Sequence, residues 1–270
     1  MEISAAVVMQ LRNKTGLSMM ECKKALVEAS GDMAKAEDIL RKAMKGKMDA
    51  KGDKPSGEGR IAVALGAGSA AIVELRANTD FTAKNDVFVS LTGALAQAAL
   101  KAPAGHYTPT GAEAAAIEDI RIKTGETIAL ARGEHVAGGA GVHFGQYVHH
   151  DGKTGALVKV TGDISEEAMR QICMHIVAAV PSPKGVRPED VPAEIVAKER
   201  KFRLETAMES GKPQEIAEKM VEGGMRKFFE DVALLEQPYI IDPSKKVKDI
   251  VGTARVDAFW RWAVGEQAGA

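Results

Sequence analysis

Residues 61–75 read IAVALGAGSAAIVEL, and this stretch decides the class of fold. Large apolar residues alternate with alanine over 61–65, Gly66-Ala67-Gly68-Ser69 supplies a turn, and a second apolar run returns over 72–75. Alternation on both sides of a glycine-rich turn is typical of a β-hairpin. The sequence therefore predicts antiparallel β-structure, and the helical patterns around it make the fold class α+β.

The residues after this hairpin complete the first of two halves that are predicted to have the same order of secondary-structure elements. Apolar residues at helical spacing over 87–98 predict one helix, and a second is predicted over 110–120. Alternation over 128–130 then predicts a third strand. We assign residues 60–140 to this first half of the core.

The second half, residues 141–270, has the same order of elements. A hairpin is predicted over 142–160, a helix follows Ser165, and a last strand is predicted over 256–264. One face of that strand is predicted to carry Val256, Ala258, Trp260, Trp262 and Val264. The match between the halves lies in pattern, and it predicts two related antiparallel sheets, each with one face on a core that helices cover.

An insertion interrupts the second half at about residues 188–232. Two long helical patterns flank Gly211-Lys212-Pro213, where glycine follows one helix and proline begins the next. This arrangement predicts an antiparallel helical hairpin of the coiled-coil type.

Residues 1–45 predict a module of three short helices, and residues 46–59 predict a linker of small and charged residues. Leu17, Met19 and Met20 cluster where the second helix begins. They either fill the small core of the module or, as methionines at a corner often do, fit a partner surface. Lys23 alone is most typical of a solvated charge.

Composition and motifs point away from several classes of protein. The 36 basic and 37 acidic residues nearly balance, so net charge favours neither nucleic acid nor a membrane surface. The two cysteines form no disulfide framework, and no phosphate-binding loop, nucleophile elbow or metal-ligand spacing is present. With no signal-peptide pattern, we expect a cytoplasmic protein without catalytic residues, metal or cofactor.

The segment that joins the first hairpin to the first core helix, residues 78–88, stands out. Thr79 or Asp80 is expected to cap the helix, which puts Phe81 in its first turn. Phe81 either packs on the sheet or projects beside a carboxylate as a wedge. The local sequence leaves both interpretations open.

Several motifs resemble those of the elongation factor Ts family. Thr-Asp-Phe-x-Ala-Lys-Asn at 79–85 and the two stretches 11–16 and 19–26 carry most of the likeness. Shorter matches follow in the same order, at Tyr147-Val148-His149, Met174-His175-Ile176, Gln237-Pro238 and Val264-Gly265-Glu266. The resemblance spans almost the whole chain.

The resemblance implies a fold and a function. The fold would be a ubiquitin-associated-like module, two related core halves and a coiled-coil hairpin. The function would be guanine-nucleotide exchange on elongation factor Tu, through its GTPase domain and a further domain. Magnesium would be displaced by the wedge segment, which we define as Thr79, Asp80, Phe81 and Thr82. Valine is usual in the family at position 82.

Other positions that match the family imply contacts with the partner. These are Arg12, Met19, Met20, Lys23, Gly125 and His149. Two other classes of function stay open on the residues alone. One is an adaptor that binds through the N-terminal module, and the other is a small-molecule enzyme with a site between the two halves.

Overall fold

The computed structural model describes residues 3–50, 57–209 and 214–266. Three helices come first, namely α1 (Ala5–Thr15), α2 (Met19–Glu28) and α3 (Met33–Ala50). The first core half comprises β1 (Glu58–Gly66), β2 (Ser69–Ala77), α4 (Asp80–Lys84), α5 (Asp86–Ala99), β3 (Gly105–His106), α6 (Gly111–Thr124) and β4 (Ala129–Ala137). The second half comprises β5 (Val142–Val148), β6 (Thr154–Thr161), α7 (Glu166–Ala178), α8 (Ala193–Glu209), α9 (Gln214–Val232), α10 (Val247–Val251) and β7 (Arg255–Ala263).

Both sheets are antiparallel and share one topology. The first has the order β1-β2-β4-β3 and the second the order β5-β6-β7. In the first sheet, β1 and β2 form a hairpin, and β4 pairs with the other edge of β2. In the second sheet, β5 and β6 form a hairpin, and β7 pairs with the other edge of β6. The predicted order of hairpin, helices and third strand is therefore found in both halves.

The two sheets pack against each other, an arrangement that the sequence analysis did not predict. Side chains from both sheets form one apolar cluster that includes Ile61, Ile72, Leu157 and Trp262. Helices α5 and α6 cover the outer face of the first sheet, and α7 and α10 cover that of the second. The central strands β2 and β6 are consequently buried on both faces.

The predicted faces of the last strand are wrong for its first residues. A β-bulge shifts the register where β7 passes Lys159 and Val160, so that Asp257 has no partner opposite it. Val256 therefore packs with the outer helices, while Trp260 and Trp262 lie between the sheets. One extra residue in a strand moves the side chains of the residues before it to the opposite face of the sheet.

The predicted end of the N-terminal module at residue 45 is also too early. Helix α3 continues to Ala50, because lysine, methionine and alanine are good helix formers and outweigh the one glycine at position 46. Of the predicted linker 46–59, residues 51–56 lie outside the described part of the chain, and β1 already begins at Glu58.

The inserted helical hairpin begins later than predicted, since a short 3-10 turn at Pro188–Asp190 precedes α8. Helices α8 and α9 pack along a seam formed by Ala207, Ala217, Val221 and Met225. The predicted turn at 211–213 lies outside the described residues.

A buried carboxylate joins the two sheets. Glu74 on β2 is fully buried, and its Oε1 accepts hydrogen bonds from Arg76 Nε at 2.6 Å and Gly265 N at 3.0 Å. Its Oε2 accepts from Arg132 Nε at 2.6 Å, and Arg132 also donates to Ala263 O at 3.1 Å. A buried charge is tolerated only when it is paired in this way. The cluster therefore ties β2 and β4 to the end of β7.

We expect Glu74→Ala to lower the free energy of unfolding of the core by about 3–5 kcal/mol, because it leaves two guanidinium groups without their partner. Urea unfolding followed by the fluorescence of Trp260 and Trp262, which lie between the sheets, measures this. The control is Glu236→Ala, which removes a more exposed carboxylate from Lys246 and Lys248. That variant should lose about 1 kcal/mol or less. Equal losses in the two variants would contradict the assignment.

Candidate functional site

The wedge segment lies at the end of the central strand β2, where the chain enters α4. Thr79 has extended backbone angles and caps the helix, since its side chain accepts from Thr82 N at 3.3 Å. In the turn that follows, the side chain of Phe81 is 85% exposed. The interpretation of Phe81 as a residue packed on the sheet is thus wrong, and the ring projects from the surface.

The carboxylate beside the ring is partly exposed to solvent. Asp80 accepts a hydrogen bond from Lys84 Nζ at 2.7 Å, one helical turn later. This hydrogen bond holds the pKa of Asp80 below its ordinary value. An aromatic ring and a negative charge therefore project together from one short turn of helix.

Thr82 differs from the other members of the wedge segment because it faces inward. Its side chain is buried, and its hydroxyl donates to Glu126 Oε1 at 2.8 Å. Ala83 is buried as well and packs on the core of the first half. Thr82 therefore holds the segment on the body of the protein, and only Asp80 and Phe81 project beyond it.

Glu126, which the sequence analysis missed, closes the base of the wedge segment. Its carboxylate accepts hydrogen bonds from Asn78 N, Thr79 N, Thr79 Oγ1 and Thr82 Oγ1. Gly125 ends α6 with a φ of 67°, in the left-handed region that favours glycine, and so turns the chain toward the wedge. Gly125 and the wedge are thus neighbours in space, as the resemblance implied that both lie near the partner.

The turn between β5 and β6 lies beside the wedge. Gly152 O accepts from Ile61 N at 2.8 Å, which fixes the turn on strand β1. Lys153 pairs with Glu58 at 2.6 Å; this pair and, to a lesser degree, the charge of Asp80 raise the pKa of Lys153.

His149 begins this turn, half-buried and 3.0 Å from Asp151. Adjacent histidines on a strand would point to opposite faces. Instead, the rings of His149 and His150 lie 4.2 Å apart, because strand β5 has already ended at Val148.

The N-terminal module presents its own exposed residues. Leu17 is buried in the module, whereas Met19 and Met20 are exposed. The interpretation that all three fill the core is therefore wrong for the methionines. Arg12 and Lys23 are also exposed. Val27, 57% exposed and two turns after Met20, extends this surface, and its spacing could have revealed it.

Helix α6 connects the module to the wedge. Arg41 on α3 lies 3.5 Å from Asp119 on α6, and Leu17 and Ile122 line a shared cleft between the two helices. Since α6 ends at the residues that hold the wedge, the exposed methionines and Phe81 are carried by one connected set of elements.

A second exposed apolar group lies at the base of the helical hairpin. Ile240 and Ile241 are 46% and 56% exposed, and Val180 is 96% exposed. Buried His175 and Gln237 hold these segments: Ile240 N donates to His175 Nδ1, and Gln237 Nε2 donates to Pro181 O. The sequence analysis did not single out this surface, because its members come from separate loops.

In the described part of the chain, no three histidine, cysteine, aspartate or glutamate side chains are grouped as metal ligands. Within the same residues, no helix has both the length and the apolar character needed to cross a membrane.

Comparisons with known proteins agree on one family. A family model described as "Elongation factor TS" matches residues 78–266. The chain is 42% identical to "Elongation factor Ts" of Histophilus somni (strain 2336), over 98% of this chain and 92% of that protein. It is 41% identical to the proteins of the same name from Pasteurella multocida and Photobacterium profundum, over 98% of this chain and 93% and 92% of theirs.

We expect Phe81→Ala to leave the free energy of unfolding within about 0.5 kcal/mol of the parent, because an exposed ring contributes little to stability. The matched control is Phe88→Ala, one helix further along, whose ring is 1% exposed. Loss of that buried ring should cost about 3–5 kcal/mol. Urea titrations of both variants make the comparison. A large loss in Phe81→Ala would mean that the ring packs inside the protein.

Proposed function

Because this chain belongs to the elongation factor Ts family, we propose that it is a guanine-nucleotide exchange factor for elongation factor Tu. In this proposal it binds the GDP-bound partner in the cytoplasm, displaces magnesium and promotes release of GDP during translation elongation. It performs no covalent chemistry, needs no cofactor, and contacts neither nucleic acid nor a membrane directly.

The observation that carries the proposal is the projecting ring of Phe81 beside the partly exposed carboxylate of Asp80, on a capped turn of helix. The ring would enter between two helices of the partner's GTPase domain, where burial of apolar surface stabilises the complex. The carboxylate beside it would lie near the magnesium ion, a hard cation that binds carboxylate and phosphate oxygens. Displacement of that ion removes a link between the partner and the nucleotide phosphates.

Further contacts would hold the wedge in place on the partner. Met19, Met20, Arg12 and Lys23 would touch the same GTPase domain, with Val27 extending their surface. Gly125 and His149 would contact it near the wedge, since both lie beside that segment.

The exposed apolar group of Val180, Ile240 and Ile241 suits a further domain of the partner. It lies in the second core half, whereas the wedge lies in the first. Exposed apolar residues that come together from separate loops are typical of interaction sites.

The proposal includes the finer architecture that the resemblance implies. The module α1–α3 would be ubiquitin-associated-like, and residues 60–140 and 141–270 would be two related core halves. The pair α8 and α9 would be a coiled coil. Its seam residues Ala217, Val221 and Met225 and the partly buried Phe228 recur at intervals of four, four and three, close to the alternating three and four of a heptad.

We expect Phe81→Ala to bind nucleotide-free elongation factor Tu within about threefold of the parent but to slow GDP release about tenfold or more, a loss of about 1.4 kcal/mol of barrier lowering. Stopped-flow release of a fluorescent GDP at saturating factor measures the rate. The matched control is Phe202→Ala, which removes another exposed ring, on the helical hairpin. Equal rates in the two variants would refute the wedge.

We also expect removal of the helical hairpin to cost less exchange activity than Asp80→Ala. Residues 193–230 are replaced by a short glycine linker, which is feasible because Val196 near the start of α8 packs on the same apolar cluster as Phe228 and Phe229 near the end of α9. The comparison is the ratio of release rates at equal factor concentration. A larger loss of exchange activity from the deletion than from Asp80→Ala would mean that the active surface lies on the hairpin.

A further inference from the structure

Helix α4, which carries the wedge, is too short to be stable alone. It has five residues, Asp80 to Lys84. A single turn fixes several backbone angles for very few hydrogen bonds, so isolated helices of this length do not form. The direction of Phe81 must therefore be set by contacts outside the helix.

Those contacts converge on Glu126. Its Oε2 accepts from the amides of Asn78 and Thr79, both at 3.1 Å. Its Oε1 accepts from the hydroxyl of Thr79 at 2.6 Å and from that of Thr82 at 2.8 Å. Hydrogen bonds to an ionised carboxylate are stronger than those between neutral groups. One side chain thus holds both the entrance and the inward face of the turn.

The carboxylate also fixes the helix cap. The Thr79 hydroxyl has one proton, which it donates to Glu126, so its lone pair is free to accept from Thr82 N. Without the carboxylate, the hydroxyl loses the acceptor that fixes its orientation. The cap of α4 and the position of Glu126 are therefore linked.

Glu126 belongs to a different part of the chain from the wedge. It follows Gly125 at the end of α6, 48 residues after Asn78. Asn78 Oδ1 accepts in return from Thr127 N at 2.6 Å. The base of the wedge is therefore joined to the end of α6 in both directions, and α6 itself contacts the N-terminal module through Asp119 and Arg41.

We infer that Glu126 is a positioning residue for nucleotide exchange, one that acts through Phe81 and Asp80 and does not itself touch the nucleotide or the magnesium ion. The inference rests on the proposed function. Its content is that the carboxylate keeps the projecting ring and charge in one orientation before the partner is met, so that the step that opens the nucleotide site need not order them.

The principal test is Glu126→Gln, with Glu118→Gln as the matched control. Glu118 lies on α6 and pairs with Arg121, away from the wedge. Glutamine keeps the size of the side chain but replaces one acceptor oxygen with a donor. We expect GDP release at saturating factor to slow about tenfold in Glu126→Gln. The concentration for half-maximal rate should change less than about threefold, and Glu118→Gln should match the parent.

A double-mutant cycle distinguishes positioning from a general structural role. If Glu126 acts through the wedge, adding Glu126→Gln to the variant that carries both Asp80→Ala and Phe81→Ala should slow release by less than about twofold further. Additive losses, about tenfold in each background, would overturn the inference.

Amide hydrogen exchange in the free protein gives a readout that does not depend on the partner. In Glu126→Gln the amides of residues 78–82 should exchange faster, while those of β2 and β6 stay protected. Unchanged exchange at 78–82 would overturn the inference. If Glu126→Gln unfolds the whole protein, Glu126→Asp replaces it, since that side chain keeps the charge but is one methylene too short to reach.

The outcomes separate this inference from the proposed function. A parental release rate in Glu126→Gln, with a slow rate in Phe81→Ala, would overturn the inference and leave exchange through the wedge intact. If the parent protein does not accelerate release of GDP from elongation factor Tu, both the inference and the proposed function are overturned.

Discussion

Two sheets packed face to face impose a requirement on the buried carboxylate of Glu74. Glu74 is fully buried, so its charge needs partners, and these come from the neighbouring strand at Arg132 and from the chain after β7 at Gly265. The pairing brings the first half and the end of the second half to one place. It also fixes β2 only a few residues before the chain leaves that strand for the wedge segment at Thr79. A partner protein that pushes on Phe81 therefore pushes against the most deeply buried strand of the first sheet.

An exposed aromatic ring receives little support from packing, and the structure supports it with polar contacts. Phe88 is held by burial, whereas Phe81 is 85% exposed and depends on the turn that carries it. That turn is fixed by hydrogen bonds to Glu126 and by the inward side chain of Thr82. Such contacts are directional, so they set an orientation where apolar burial would set only a location. In the proposed function, such an orientation would be required of a ring that enters between two helices of the partner.

Much of the secondary structure could be predicted from the sequence, because hairpins and capped helices are specified by neighbouring residues. The packing of the two sheets could not, since the middle parts of β2 (70–73) and β6 (155–158) contain only apolar residues and glycine and so show no preferred face. The alternation in β7 predicted the wrong face for Val256, because the bulge at Asp257 arises only when β7 pairs with β6. The same limit applied to the candidate site. The motif around Phe81 was visible, but whether the ring faces in or out depends on Glu126, which lies 48 residues beyond Asn78 and carries no local signal.

The energetics of exchange explain why a wedge alone is insufficient. Raising a release rate about ten-thousandfold requires lowering the barrier by about 5.5 kcal/mol. Burial of one phenylalanine contributes about 1.5–3 kcal/mol. In the proposed function, the remainder would come from displacement of the magnesium ion and from contacts elsewhere, such as those of Met19, Met20 and the apolar group near Ile240. Thermodynamic linkage makes this coupling reciprocal. If the exchange factor lowers the affinity for nucleotide by a certain factor, the incoming nucleotide lowers the affinity for the exchange factor by the same factor. In the proposed function, a rigid wedge with dispersed contacts would therefore open the nucleotide site and still be released when GTP binds.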